Sequence, residues 1–297
     1  MKRIAFIINP ISGNKRLQEI KRTLPELVKT LLDARQWSAT ISYTAYASHA
    51  TELAQQYARE GYEAVVACGG DGTVNEVACG LRDTSTAMGI LPMGSGNGLA
   101  RHLHIPMDLH KAIELLNHAH PASIDYGLAN NRLFVCCCGA GLDAEVAERF
   151  AGCKQRGFLT YIFSTVRLLF TYRPQTYQLL GDKINHTQRA FLITFANANQ
   201  WGNNALIAPR ADVSDGLLDI AIMSPYALWG SPGLAIRLFA GTIDRSPLMT
   251  MLRTQELTLR REHAAPFHLD GDPVTMPEEI QIRLVHQGLR VITTASI

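Results

Sequence analysis

Three short runs in this sequence combine glycine with hydroxyl or carboxylate side chains, and each follows an apolar stretch. They are NPISGN at residues 9–14, GGDGT at 69–73 and MGSGNG at 93–98. Glycine lets backbone N–H groups approach an anion with no Cβ in the way. A helix opening at Thr73 would add its first N–H groups and the positive end of its dipole. Holding a chain of phosphates is the chemistry these features suit. Asp71 is the odd member, because a carboxylate repels phosphate. It belongs there if it holds Mg2+, directly or through water, or handles a proton. A lone Asp-Gly is ordinarily only a turn, but three glycine turns at successive strand ends carry more weight. G-x-x-x-x-G-K-[ST] is absent, which excludes a P-loop. Neither GGDGTVN nor GSGNGLA meets the G-x-G-x-x-G of dinucleotide folds.

The elements that must present these turns alternate along the first part of the chain. Strand-like runs occupy residues 4–8, 37–46, 64–67 and 86–93. Helical spacing marks 16–32, 49–60, 73–81, a short turn from Leu99, and 109–119. Such alternation predicts an α/β domain with a mainly parallel sheet. Ligands of such a sheet collect beyond the carboxyl ends of its strands. After about residue 125 the pattern changes to short strand runs separated by turns, with Asn130-Asn131 as one turn and a single helical region at 160–172. PFHLDGDPV and RAFLITFANAN are among the strand runs. This half reads as a β-rich, sandwich-like domain. The expected domains are 1–124 and 125–285.

Bulk properties narrow the classes. With 28 basic against 26 acidic residues the net charge is +2, without the basic excess of a general nucleic-acid binder. The six cysteines include no C-x-x-C pair, and Cys136, Cys137 and Cys138 are adjacent. That pattern suits buried thiols of a reduced, cytoplasmic protein better than a disulfide frame or zinc ribbon. No run reaches the roughly 18 apolar residues of a membrane span. The apolar stretch of MKRIAFIINP is too short for a signal peptide.

Taken in order, five pieces resemble the diacylglycerol kinase catalytic-domain family, which includes bacterial lipid kinases and sphingosine kinases. They are NPISG at 9–13, GGDGTVNEV at 69–77, LPMGSGNGLAR at 91–101, DVSDGLLDI at 212–220 and HLDGDP at 268–273. GGDGT alone is shared with NAD kinases; the combination is far more specific. The resemblance implies a first domain of NAD kinase and phosphofructokinase type, with a final segment, about 286–297, returning to it. It implies ATP in the cleft between the domains. The matching nucleotide-contacting positions are Asn9, Pro10, Ser12, Gly13, Thr44, Gly69, Gly70, Asp71, Gly72, Thr73, Asn75, Gly94, Ser95, Gly96 and Asn97.

The same resemblance implies a structural Mg2+ at DVSDGLLD, held by the Asp215 carboxylate and by backbone oxygens of Asp212 and Leu217. It assigns the general base to LDGDP. Asp270 and Asp272 lie two apart, so in an extended strand both would point one way. Neighbouring carboxylates raise one another's pKa, which suits a base. Asp272 stands where the family commonly has glutamate and is the favoured base, with Asp270 the alternative. Asp71 completes the catalytic set. Gly98 replaces the acidic residue of many bacterial lipid kinases, and the Gly-Ser-Gly-Asn form is closer to sphingosine kinases.

The expected activity is therefore transfer of the γ-phosphoryl group of ATP, with Mg2+, to a lipid hydroxyl, diacylglycerol or sphingoid-like. The rivals are an NAD kinase and a nucleotide- or lipid-sensing protein without turnover. The expected partners are a lipid alcohol, a membrane surface met peripherally by a cytoplasmic protein, no nucleic acid, and a second copy, since bacterial members favour dimers. Residues 157–174, with Phe158, Tyr161, Ile162 and Leu169 beside Arg156, Arg167 and Arg173, are a candidate membrane-facing helix. The same pattern also serves a core helix.

Overall fold

The computed structural model describes all residues except 14, 119, 152–167, 169–170, 227–229 and 295–297. The chain divides into two compact units, Met1–Ile124 with Gln287–Ile297, and Asp125–His286.

The first unit contains β1 (Lys2–Ile8), α1 (Lys15–Leu31), β2 (Trp37–Tyr43), α2 (His49–Arg59), β3 (Ala64–Gly69), α3 (Asp71–Leu81), β4 (Ala87–Pro92), α4 (Gly98–His102) and α5 (Leu109–His118). Its strands run β2-β1-β3-β4, and beyond β4 lies the end of the last strand of the chain, paired through Val291 with Met88. Every one of these pairings is parallel. β3 and β4 are buried at every position, as expected of strands covered on both faces. The helices cover them with apolar stripes such as Val74, Val77, Ala78 and Leu81 of α3. α3 opens two residues earlier than its spacing suggested, at Asp71, because Gly70 takes an extended conformation as N-cap and Val74 N–H already closes onto the Gly70 carbonyl.

The second unit follows with β5 (His120–Ala129), which begins in the first, β6 (Arg132–Phe134), β7 (Cys137–Gly141), α6 (Leu142–Ala151), β8 (Gln175–Leu180), β9 (Asn185–Ala190), β10 (Leu192–Ala196), β11 (Leu218–Met223), α7 (Ser231–Phe239), β12 (Met249–Thr254), β13 (Glu256–Arg260), β14 (Ala265–Leu269), β15 (Asp272–Met276) and β16 (Glu279–Thr293). One sheet runs β12-β11-β10-β7-β14-β15. In the other, the start of β16 pairs with β13, followed by β8 and β9. Tyr177, Leu179, Leu257, Leu259, Ile280 and Ile282 from one sheet pack with Phe195, Ile220 and Phe267 from the other in a single apolar core. This is a sandwich.

Three local expectations need correction here. RAFLITFANAN is two strands in two sheets, parted at Phe191, whose N–H bonds the Met223 carbonyl. The helical region expected at 160–172 is not the single one: residues 142–151 form a helix, where the apolar residues after Gly141 switch to spacing of four, Leu142 to Val146. Residues 231–239 form another, with proline in its first turn, where its missing N–H costs nothing. The candidate membrane-facing run at 157–174 lies largely outside the described residues. Among the described residues no helix is long and apolar enough to cross a membrane.

Candidate functional site

The three glycine turns of the first unit come together at the carboxyl ends of β1, β3 and β4, which are neighbours in the sheet. Backbone contact holds them there. Asn9 N–H donates to the Cys68 carbonyl at 3.2 Å and Met93 N–H to the Gly69 carbonyl at 2.8 Å. The Asn9 amide donates to Thr73 Oγ1 at 3.2 Å. Gly70 and Gly94 touch directly: a Cβ on Gly94 would sit 2.4 Å from Gly70 Cα. These two glycines therefore serve first to let the loops meet, and only then to expose amides. Gly13, at φ +81°, lies against the Met93 carbonyl, where a Cβ would approach to 2.8 Å.

Asp71 ties the second loop to the third. Its Oδ2 accepts the Asn97 N–H at 2.9 Å and its Oδ1 the Gly98 N–H at 2.7 Å, at the mouth of α4. Burial lifts the Asp71 carboxyl above its ordinary value; the Asn97 and Gly98 N–H groups and Arg101 pull the other way. Each oxygen of an ionised carboxylate has a second lone pair. Asn97, itself in the left-handed conformation, braces the third loop by exchanging two bonds with Gly94, at 2.9 and 3.0 Å, while Arg101 Nε donates to the Gly96 carbonyl. Ser95 and Pro10 are exposed, and Gly72 and Gly96 half-buried. Asn75, one turn into α3, accepts from Cys79 Sγ. Thr44 N–H bonds the Ile8 carbonyl, beside the first loop.

Two contributors to this site were not singled out from the sequence. Glu76 accepts the N–H groups of Ser48 and Ala50, at 2.9 and 3.1 Å, and so fastens the start of α2, just beyond Thr44. Lys21, only 2% exposed, sends its ammonium under the first loop to the Asn9 and Ser12 carbonyls, both at 2.6 Å, and to Ser12 Oγ. Its signal was present: it continues the buried stripe of Leu24 and Val28 in α1 and Leu32 just beyond it, at helical spacing.

In the second unit the acidic pair departs from expectation. Leu269 and Asp272 are register partners, so Asp270-Gly271 is a two-residue hairpin turn, with φ of +50° and +86°. Asp-Gly is the sequence such a turn favours, because both central residues need positive φ. The two carboxylates are thus not on one face of a strand. Asp270 Oδ2 accepts the Val135 N–H at 2.8 Å, and Oδ1 accepts those of Cys136 and Cys137 at 2.8 and 3.0 Å. Asp272, at the start of β15, is exposed. His268 backs the turn: the Gly271 N–H donates to its Nδ1 at 3.4 Å, which leaves the ring proton on Nε2, facing buried Asp143 Oδ2 at 3.2 Å. Thr194 Oγ1 donates to the same oxygen at 3.0 Å.

Comparison with known proteins now decides the family. Residues 3–129 match the diacylglycerol kinase catalytic domain, and residues 136–293 match the YegS C-terminal NAD kinase beta sandwich-like domain. The chain belongs to the diacylglycerol kinase catalytic-domain family of lipid kinases, with a YegS-type second half. A diacylglycerol kinase of Bacillus subtilis (strain 168) is 26% identical over 96% of this chain and 89% of its own. A Chromohalobacter salexigens protein named "Probable lipid kinase YegS-like" is 28% identical over 74% of this chain and 73% of its own. A solved structure from Bacillus anthracis str. Sterne matches with TM-score 0.81 at 21% identity, covering 100% of this chain and 96% of that one. A second, described as a diacylglycerol kinase from the same strain, matches at 0.75 and 18%, covering 100% and 98%. Both are likenesses of fold.

For this lipid-kinase chain the structural Mg2+ implied at Asp212, Asp215 and Leu217 does not fit at its one side-chain ligand, Asp215, whose carboxylate already has a resident cation in Arg253. Asp212 is implied to contribute only its backbone oxygen; its Oδ1 shapes the loop by accepting the Ser214 N–H at 2.9 Å and hydroxyl at 2.7 Å. Asp215 Oδ1 accepts the Leu217 N–H at 3.0 Å, and Oδ2 is in ion-pair contact with Arg253. A dication at Asp215 would sit against a guanidinium. The loop is held from within: buried Asp125 accepts the Gly216 N–H at 2.8 Å and pairs with His286 Nδ1 at 2.8 Å.

Proposed function

We propose that this protein is an ATP-dependent lipid kinase that transfers the γ-phosphoryl group to a lipid hydroxyl. The carrying observation is the meeting of the 9–13, 69–73 and 93–98 loops, locked by Asp71 across to Asn97 and Gly98. Phosphoryl transfer asks mainly for alignment and charge neutralisation. The loop amides and the first turn of α3 would hold the triphosphate. Mg2+ would travel with ATP and neutralise its phosphates. Asp71 acts by fixing the loops, and the remaining lone pairs of its carboxylate would be able to accept from water or hold a nucleotide-bound metal.

Asp272 is the general base in this reading. The oxygens of Asp270 are occupied by three N–H donors, so Asp270 anchors the turn that carries Asp272. Asp272 is exposed and able to accept a hydroxyl proton from an acceptor. The Ser95-Gly96-Asn97-Gly98 run leaves diacylglycerol and sphingoid-like alcohols both as acceptor classes.

The test is incubation of the full chain with γ-labelled ATP and separate panels of diacylglycerols, sphingoid bases, bulk lipid extract, NAD and buffer. Label in a lipid product supports the reading. Label in NAD alone, or in no product while ATP still binds, overturns it.

A further inference from the structure

The β11–β12 register sets Asp219 directly opposite Arg253. Cross-strand neighbours of opposite charge attract, and register is fixed by the buried faces of both strands. Arg253 Nε reaches Asp219 Oδ2 at 3.2 Å, and its other end reaches Asp215 on the loop entering β11. Asp219 is 3% exposed, so its charge needs a resident counter-ion. One guanidinium thus serves a buried strand carboxylate and a loop carboxylate together. A planar fork with several donors suits such bridging, where a lysine would act as a point charge.

We propose that Arg253 is the built-in cation of the 212–217 loop, standing where the family resemblance implies a structural divalent metal, so that this unit folds and keeps its loop independently of Mg2+. The reasons are geometric. The Asp215 carboxylate, the one side chain implied to hold the ion, already accepts the Leu217 N–H and is paired with Arg253. The backbone is pinned separately by Asp125 through Gly216. The cation comes from a strand position whose register sets it opposite Asp219. The inference is independent of the acceptor and of catalysis, because nucleotide-borne Mg2+ is a separate requirement.

The experiment is thermal unfolding of the nucleotide-free full chain in EDTA and with Mg2+ raised to about 10 mM, where a ligand that binds only the native state lifts the midpoint. Wild type, Asp215→Asn, Arg253→Met and the double variant are compared. The expected result is a wild-type midpoint unmoved by Mg2+ or EDTA. Arg253→Met unfolds earlier in EDTA and recovers several degrees as Mg2+ rises, and Asp215→Asn in the same background removes that recovery. A saturable Mg2+-dependent rise in wild type that Asp215→Asn abolishes overturns the proposal. If Arg253→Met does not fold, the wild-type and Asp215→Asn titrations decide it alone.

Discussion

The carboxylate of Asp71, in the first turn of α3, accepts the N–H of Gly98 at the first turn of α4 at 2.7 Å, and that of Asn97 beside it at 2.9 Å. One side chain therefore ties the 69–73 loop to the 93–98 loop. Replacing it with asparagine turns an acceptor into a donor facing an N–H. Asp71→Asn is expected to cost about 1–3 kcal/mol of stability through the unsatisfied donor. Turnover should fall about 100-fold or more, since misplacement of about 1 Å can cost that much. Urea unfolding and lipid phosphorylation at saturating ATP check both; near-normal turnover would show that the loops hold without this tie.

Gly94→Ala tests the contact between loops apart from charge. The added Cβ would lie 2.4 Å from Gly70 Cα, which is backbone and cannot swing away. Overpacking of this kind costs about 1–3 kcal/mol. The loops should part, raising KM for ATP more than it lowers kcat for any accepted lipid. An unchanged KM for ATP would mean that the Gly70–Gly94 approach does not shape the nucleotide site.

Asp270 and Asp272 should separate cleanly by measurement. Asparagine tolerates the left-handed backbone that position 270 requires. Asp270→Asn therefore removes charge and one acceptor from the Val135, Cys136 and Cys137 donors without straining the turn. It is expected to unfold at lower urea, by about 1–3 kcal/mol. Asp272→Asn, at an exposed position, should leave stability within about 0.5 kcal/mol of wild type while lowering kcat by roughly 10²–10⁴. The reverse pattern would move the base to Asp270.

How far the sequence reveals this molecule depends on which interactions are local. The alternation of strands and helices around GGDGT and GSGN is local, and the parallel sheet β2-β1-β3-β4 follows from it. The glycines were legible as a candidate site but not in their packing role, because Gly70 meeting Gly94 is a tertiary contact. Asp270 was misread by applying strand alternation through Asp-Gly, itself a strong hairpin signal. Arg253 could not be tied to Asp215 without the β11–β12 register, which no local pattern states. Lys21 was visible as a lysine on an apolar stripe, but only the folded chain shows what its ammonium touches.

That lysine yields a pH dependence. Burial lowers the Lys21 pKa from 10.5 to about 8, and burial pushes the thiol of Cys68, its electrostatic neighbour, up. Because the folded state binds the proton more weakly than the unfolded chain, Lys21 is destabilising below about pH 8. The penalty fades as pH rises through 8 towards 10.5. Its full size is on the order of 3 kcal/mol. Urea unfolding of wild type and Lys21→Met between pH 7 and 10 should show wild type gaining stability relative to the variant across that window. The gain belongs to the difference between the two curves, so tyrosine and cysteine titrations shared by both cancel. The variant leaves the Asn9 and Ser12 carbonyls without their ammonium partner, so its KM for ATP should also rise at pH 7. Parallel stability curves would mean that Lys21 ionises as an ordinary surface lysine, with its ammonium in water and not beneath the first loop.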